Sequence, residues 1–158
     1  MTTKQQEVLE RLQREFEVCD KHLLRIEDAL ASIRIEFPLD TENYATLNSE
    51  QIRCLDQFIF RFSKFQDAIG TKIFRLTLHI LGEDVSSLPL RDVLNLLERY
   101  NLINSAEEWQ YMRELRNTIT HEYSLDVNDI VDALNELIIK LPELKEIYHR
   151  LKAVPQTY

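Results

Sequence analysis

A chain of 158 residues in which 44% are hydrophobic and 29% charged has the composition of a folded globular protein, not of a disordered one. It holds only two glycines and four prolines; β-sandwiches and α/β folds need many turns, and turns draw on glycine, so the composition excludes them and leaves an all-α fold. A net charge of −8 excludes a non-specific nucleic-acid binder, because phosphate contact needs clustered Lys and Arg; any site for nucleic acid has to be a local basic cleft.

The spacing of apolar residues predicts five helices in an up-down bundle. The length suits a single domain over residues 1–158, with its core over roughly 4–152 and a frayed tail over 153–158. Val8, Leu12, Phe16, Cys19, Leu23, Ile26, Leu30 and Ile33 recur every three or four positions, which makes Lys4 to Arg34 a helix with one buried stripe. Phe37-Pro38 stops it, and a polar loop is expected up to Asn48. Ser49 is read as the N-cap of a second helix, with a stripe from Ile52 through Phe58, Phe62, Phe65, Ile69 and Ile73 to Ile80 and a stop at Gly82. Gly70 inside that helix marks a kink or a close helix approach. Its apolar arc, with Phe58, Phe60, Phe62, Phe65 and Phe74, is wider than one core face needs, and a second copy of the chain is the expected cover.

Ser86-Ser87-Leu88-Pro89 reads as a linker, and a short third helix runs from Leu90 to Tyr100. Ser105 with Glu108 three residues on forms a capping box for the fourth helix. Asp126 caps the fifth, Val127 to Lys152, which Pro142 is expected to kink or divide. Cys19 and Cys54 fall among apolar neighbours and read as buried, reduced thiols. No leader-like apolar segment follows Met1 and no apolar run is long enough to span a membrane, so a cytoplasmic protein with no membrane partner is expected.

The chemistry concentrates in Arg116-Asn117-Thr118-Ile119-Thr120-His121-Glu122-Tyr123, at the end of the fourth helix. Arg116 can hold a phosphate in a two-pronged fork, and His121 can move protons near neutral pH. On a helical wheel, Met112, Leu115, Ile119 and Tyr123 form the core stripe; Arg116 lies at its edge, and Thr120, Arg113, Asn117 and His121 fan out on one side. At about 100° per residue Arg116 and His121 stand about 140° apart, so they flank a groove and do not stack. Ordinary roles fit the same residues: Arg116 paired with Glu108, Glu114 or Glu122, His121 on the last carbonyls, Tyr123 in the core. The other histidines, His22, His79 and His149, are scattered. There is no metal-ligand spacing, glycine-rich phosphate loop or nucleophile elbow, and no cofactor is expected.

The run Arg116-Asn117-x-x-x-His121-x-Tyr123 resembles the motif of the HEPN superfamily, and its tyrosine matches the HepT branch. Phe60-Arg61-Phe62-Ser63-Lys64-Phe65-Gln66-Asp67-Ala68-Ile69-Gly70 is similar to the second-helix signature of such proteins, and the resemblance spans roughly residues 5–150. It implies a HEPN-like bundle and a metal-independent endoribonuclease, the toxin of a prokaryotic toxin–antitoxin pair, working as a homodimer with both motifs facing one cleft. By the same resemblance His121 is the general base or proton shuttle, Arg116 holds the scissile phosphate, and Asn117, with Thr120 beside it, supports them. The expected product is a 2′,3′-cyclic phosphate. The implied partner is an MntA-like minimal nucleotidyltransferase that adds AMP to Tyr123 and so silences the cleft. Related HEPN proteins are non-catalytic, substrate-binding partners of nucleotidyltransferases, and the net charge of −8 suits that role too.

Overall fold

Apolar residues at helical spacing bury one face of every long helix, and these faces meet in one continuous core. The computed structural model describes residues 2–120 and 126–157. Among them the chain is an all-α helical bundle, with no strand. Its elements are α1 (Thr3–Ile33), α2 (Thr41–Ala45), α3 (Ser49–Ala68), α4 (Phe74–Ile80), α5 (Leu90–Arg99), α6 (Ala106–Thr120) and α7 (Val127–Ala153). The five expected helices are all present, and α1 lies along α3 while α6 packs against α7.

Local chemistry moves several boundaries. Asn48, not Ser49, caps α3: its side chain accepts from the Gln51 N–H while Gln51 returns a bond to the Asn48 N–H. The expected polar loop before it contains α2, five residues long, nucleated by the same reciprocal arrangement between Asp40 and Asn43. Ser105 does cap α6, but the reciprocal half of its box is not formed; the Glu108 carboxyl turns toward Glu143, whose own pKa rises through burial and that neighbour. Pro142 does not divide α7. It sits on the exposed side of a continuous helix, where the loss of one N–H leaves the rest of the ladder intact. Val154–Thr157 forms a 3-10 turn that follows α7.

The aromatic arc of the second helix is also reassigned. Phe58, Phe62, Phe65 and Phe74 are all fully buried within one chain, so they need no second copy to cover them. Phe60 alone stays out, 53% exposed, with the Arg61 guanidinium and the Lys64 ammonium near its ring. Ile52, read as core, is exposed as well.

Gly70 marks both a break in helical pitch and a close approach. Between α3 and α4 the backbone passes through a π turn, Ile69–Ile73, without leaving the helix axis. A β-carbon at Gly70 would stand 3.1 Å from Trp109 Cζ2, so the indole of α6 lies directly on the backbone of the turn. Phe74 flanks that indole from the other side, with ring centroids 4.6 Å apart. Tyr148 of α7 ties three helices together. Its ring packs edge-on against Phe16 of α1 and Phe65 of α3, and its hydroxyl bonds to the Phe16 carbonyl and to Asp20.

Two measurements check this packing. Tyr148→Phe leaves the ring in place and removes both hydroxyl contacts, so a loss of about 1–3 kcal/mol is expected in urea unfolding; an unchanged midpoint would show the contacts to be idle. Burial, reinforced by Glu15 and Asp20, pushes the Cys19 thiol up to about 12. At about pH 8 a thiol reagent is therefore expected to reach Cys19 only after denaturation.

Candidate functional site

Alpha-helical geometry sets Arg116 on the seam between α6 and α3. Trp109, Met112, Leu115 and Ile119 are buried along α6, as the wheel requires, and Arg116 follows at the edge of that stripe with 18% of its side chain exposed. Arg113, Asn117 and Thr120 are exposed beside it. His121 and Tyr123, and Glu122 between them, lie outside the described residues.

The partner of Arg116 is none of the expected glutamates of its own helix. Arg116 Nη2 donates to Asp67 Oδ1 of α3 at 2.5 Å, across a separation of 49 residues in sequence. Asp67 is 45% exposed, so the pair stands at the solvent boundary. It is the only bond the described residues give the Arg116 guanidinium; Nε is buried without a partner. Of the five N–H donors of an arginine, one is thus committed to orientation and others remain for a ligand. Thr120 is engaged differently: its hydroxyl donates back to the Arg116 and Asn117 carbonyls, so it fastens the last turn of α6 to itself.

Asp67 precedes the π turn by two residues, and beside it lies a cavity of about 240 Å³ between α3 and α6, with Gln66, Gly70, Trp109 and Arg113 on its walls. A larger cavity, about 700 Å³, opens between α5 and α6. Glu98, Glu107 and Glu114 line it against the single cation Arg91, which disfavours phosphate, and no described residue of the motif lines it.

His22, Arg61 and Arg75 have structural employment. The Arg61 guanidinium Nη1 stands 3.1 Å from His22 Nδ1, which requires a neutral ring that accepts there. Burial, then Arg61 and Lys64, accordingly lowers the pKa of His22. Arg75 holds the Val85 and Leu88 carbonyls and so pins the linker before α5. Among the described residues no group of His, Cys, Asp and Glu side chains is placed to hold a metal ion.

A family model described as Ribonuclease HepT-like matches residues 48–151, from the cap of α3 to the end of α7. No curated protein matches the chain, and no solved structure does. The match covers well over half of the sequence, and the chain belongs to the HepT-like ribonuclease family.

Because the Arg116–Asp67 pair is half open to water, its worth to the fold is small. Asp67→Ala is expected to shift stability by no more than about 1 kcal/mol in urea unfolding. A loss several times larger would mean that the pair clamps α6 to α3 and does more than aim the guanidinium.

Proposed function

We propose that this member of the HepT-like ribonuclease family is the toxin of a prokaryotic toxin–antitoxin pair, an endoribonuclease that cuts RNA without a metal ion. The observation that carries the reading is the complete Arg116-Asn117-x-x-x-His121-x-Tyr123 motif in a chain of that family. Arg116 supports it, held at one prong by Asp67 with donors to spare.

In the proposed reaction His121 takes the proton of a ribose 2′-hydroxyl. The 2′-oxygen attacks the adjacent phosphorus, the bond to the 5′-oxygen breaks, and a proton returns to that oxygen. The products are a 2′,3′-cyclic phosphate and a 5′-hydroxyl. Arg116 neutralises charge on the non-bridging oxygens as the attacking bond forms. Asp67 is a positioning residue, and Asn117, exposed one residue after Arg116, steadies the phosphate or His121. Since Arg116 and His121 stand about 140° apart on an ideal helix, a two-fold pair of chains completes the cleft. Such pairing also sets two Arg116 and two Arg113 side chains together and offsets the net charge of −8.

Control is proposed to come from a cognate MntA-like nucleotidyltransferase that transfers AMP to Tyr123. The added phosphate would occupy Arg116 and repel RNA. The proposed setting is the cytoplasm; no helix among the described residues is long and apolar enough to cross a membrane. The acidic net charge favours a second reading, in which the chain is a non-catalytic partner subunit of such a transferase.

Expression of the wild-type chain alone is expected to slow growth, and His121→Ala or Arg116→Ala to relieve it, with cleavage of RNA in chelator falling by about 10²–10⁴-fold. If wild type and His121→Ala are equally harmless and neither cuts RNA, the partner-subunit reading replaces the enzyme. After co-expression with the transferase, intact mass is expected to rise in AMP-sized steps that vanish in Tyr123→Phe; steps that persist would place the modification on another residue.

A further inference from the structure

Several cations of this chain have a carboxylate beside them. Arg25, Arg53, Lys72 and Arg150 each stand against one, as Arg116 does against Asp67. Arg61 and Lys64 of α3 have none among the described residues, and both converge on the ring of Phe60. The guanidinium stands 5.5 Å and the ammonium 5.6 Å from its centroid. The side-chain hydrogen bond of Arg61 goes to His22, whose neutral ring accepts it and brings no negative charge. Two uncompensated positive charges therefore stand together on a chain whose net charge is −8.

Phe60 is the most exposed aromatic residue among the described ones, at 53%. A ring flanked by two cations is a poor core for a protein interface, because burying it takes both charges out of water with no carboxylate to meet them. A single nucleic-acid strand suits the same surface. A base stacks on the open part of the ring, and the phosphates on either side of it meet the two charges.

The patch is in line with the motif. At about 100° and 1.5 Å per residue, Phe60 lies about 20° and Lys64 about 60° from Asp67 around α3, and Phe60 is about 10 Å along the helix from it. Phe60, Lys64 and Asp67 thus share one solvent-facing side of α3, and Asp67 bonds Arg116. Asp56, exposed one turn before Phe60, closes that side with a negative charge.

We infer that Phe60, Arg61 and Lys64 form a second contact for the RNA strand, outside the cleft: one base stacks on Phe60 while the neighbouring phosphates pair with Arg61 and Lys64. His22 is a positioning residue, since it acts through Arg61. The contact rests on the ribonuclease reading for its ligand and deepens it, because a strand held at Phe60 is aimed along α3 toward Arg116. It selects by length and strandedness, not by sequence. Stacking accepts any base, a duplex has no base free to stack, and a dinucleotide held at Arg116 does not reach the ring.

Binding would be read by fluorescence anisotropy with an end-labelled, single-stranded 2′-O-methyl oligoribonucleotide, which the wild-type chain cannot cut because the attacking hydroxyl is blocked. Phe60→Leu keeps an apolar side chain at an exposed site and removes the stacking face; it is expected to weaken binding about tenfold, whereas Phe60→Tyr retains it. Lys64→Gln and Arg61→Gln are each expected to flatten the log–log salt dependence of the affinity by about 0.7, the share of one phosphate contact on a single strand. In chelator, the preference of the enzyme for a long strand over a dinucleotide should fall about tenfold in Phe60→Leu, through KM and not kcat. Phe60-dependent binding in a chain that never cuts RNA upholds the contact and defeats the nuclease reading. Cleavage by a chain whose affinity and salt slope ignore all of these substitutions overturns the contact while the nuclease stands. A Phe60→Leu chain that sediments as a lighter species than wild type also overturns it, since the ring then belongs to an interface with a second copy.

Discussion

The seating of Trp109 on the Gly70 backbone is the contact that fixes where the motif helix lies. A side chain at residue 70 would hold α6 away from α3, and the glycine lets the indole come within van der Waals reach of the main chain. Trp109 and Arg116 are seven residues apart on α6, two turns along nearly the same face. Fixing the indole therefore fixes the height and rotation at which the guanidinium reaches α3, where Asp67 meets it. The π turn works in the same direction. It inserts its extra residue just after Asp67, so the chain can present Asp67 and Gln66 to α6 and still return its apolar face to the core at Ile73 and Phe74.

The electrostatics of the site follow from that seating. An acidic chain that handles RNA has to confine its cations, and here an aspartate stands against the one arginine of the motif. Asp67 weakens the attraction of Arg116 for a distant phosphate while it fixes the guanidinium for a near one. The arrangement favours short-range, directional recognition over long-range steering. The unpaired Arg113 on the cavity wall acts in the opposite sense.

The sequence revealed most where one physical signal dominates. The apolar spacing of α1 and α3, the caps at Ser105 and Asp126, and the stripe edge at Arg116 could be read directly, because burial and capping are local in sequence. Gly70 announced that α3 and α4 are not one uniform helix. Short elements escaped: α2 has too few residues for a period, and only the Asp40–Asn43 pair hinted at it. The partners of the motif escaped for a different reason. Nothing in the pattern links Asp67 to Arg116, and Gln66 looks like any polar position on a long helix until its surroundings are assembled. The surplus phenylalanines misled because a wheel shows the width of an apolar arc but not how many neighbours cover it; α3 is enclosed by α1 and others on several sides.

Tyr148 sets a limit on how the chain can be divided. The span that carries the family likeness starts at residue 48, yet α1 lies along α3 for much of its length, and Tyr148 of α7 is clasped by Phe16 and Asp20 of α1. Lys152 reaches the same aspartate. A polypeptide trimmed to the recognisable portion would bare the α3 face that α1 covers and leave the Tyr148 hydroxyl without its carbonyl. The ancestry of this protein is written in its last two thirds, but its shape is not separable at that point: the unrecognised leading helix is a structural subunit of the part that is recognised.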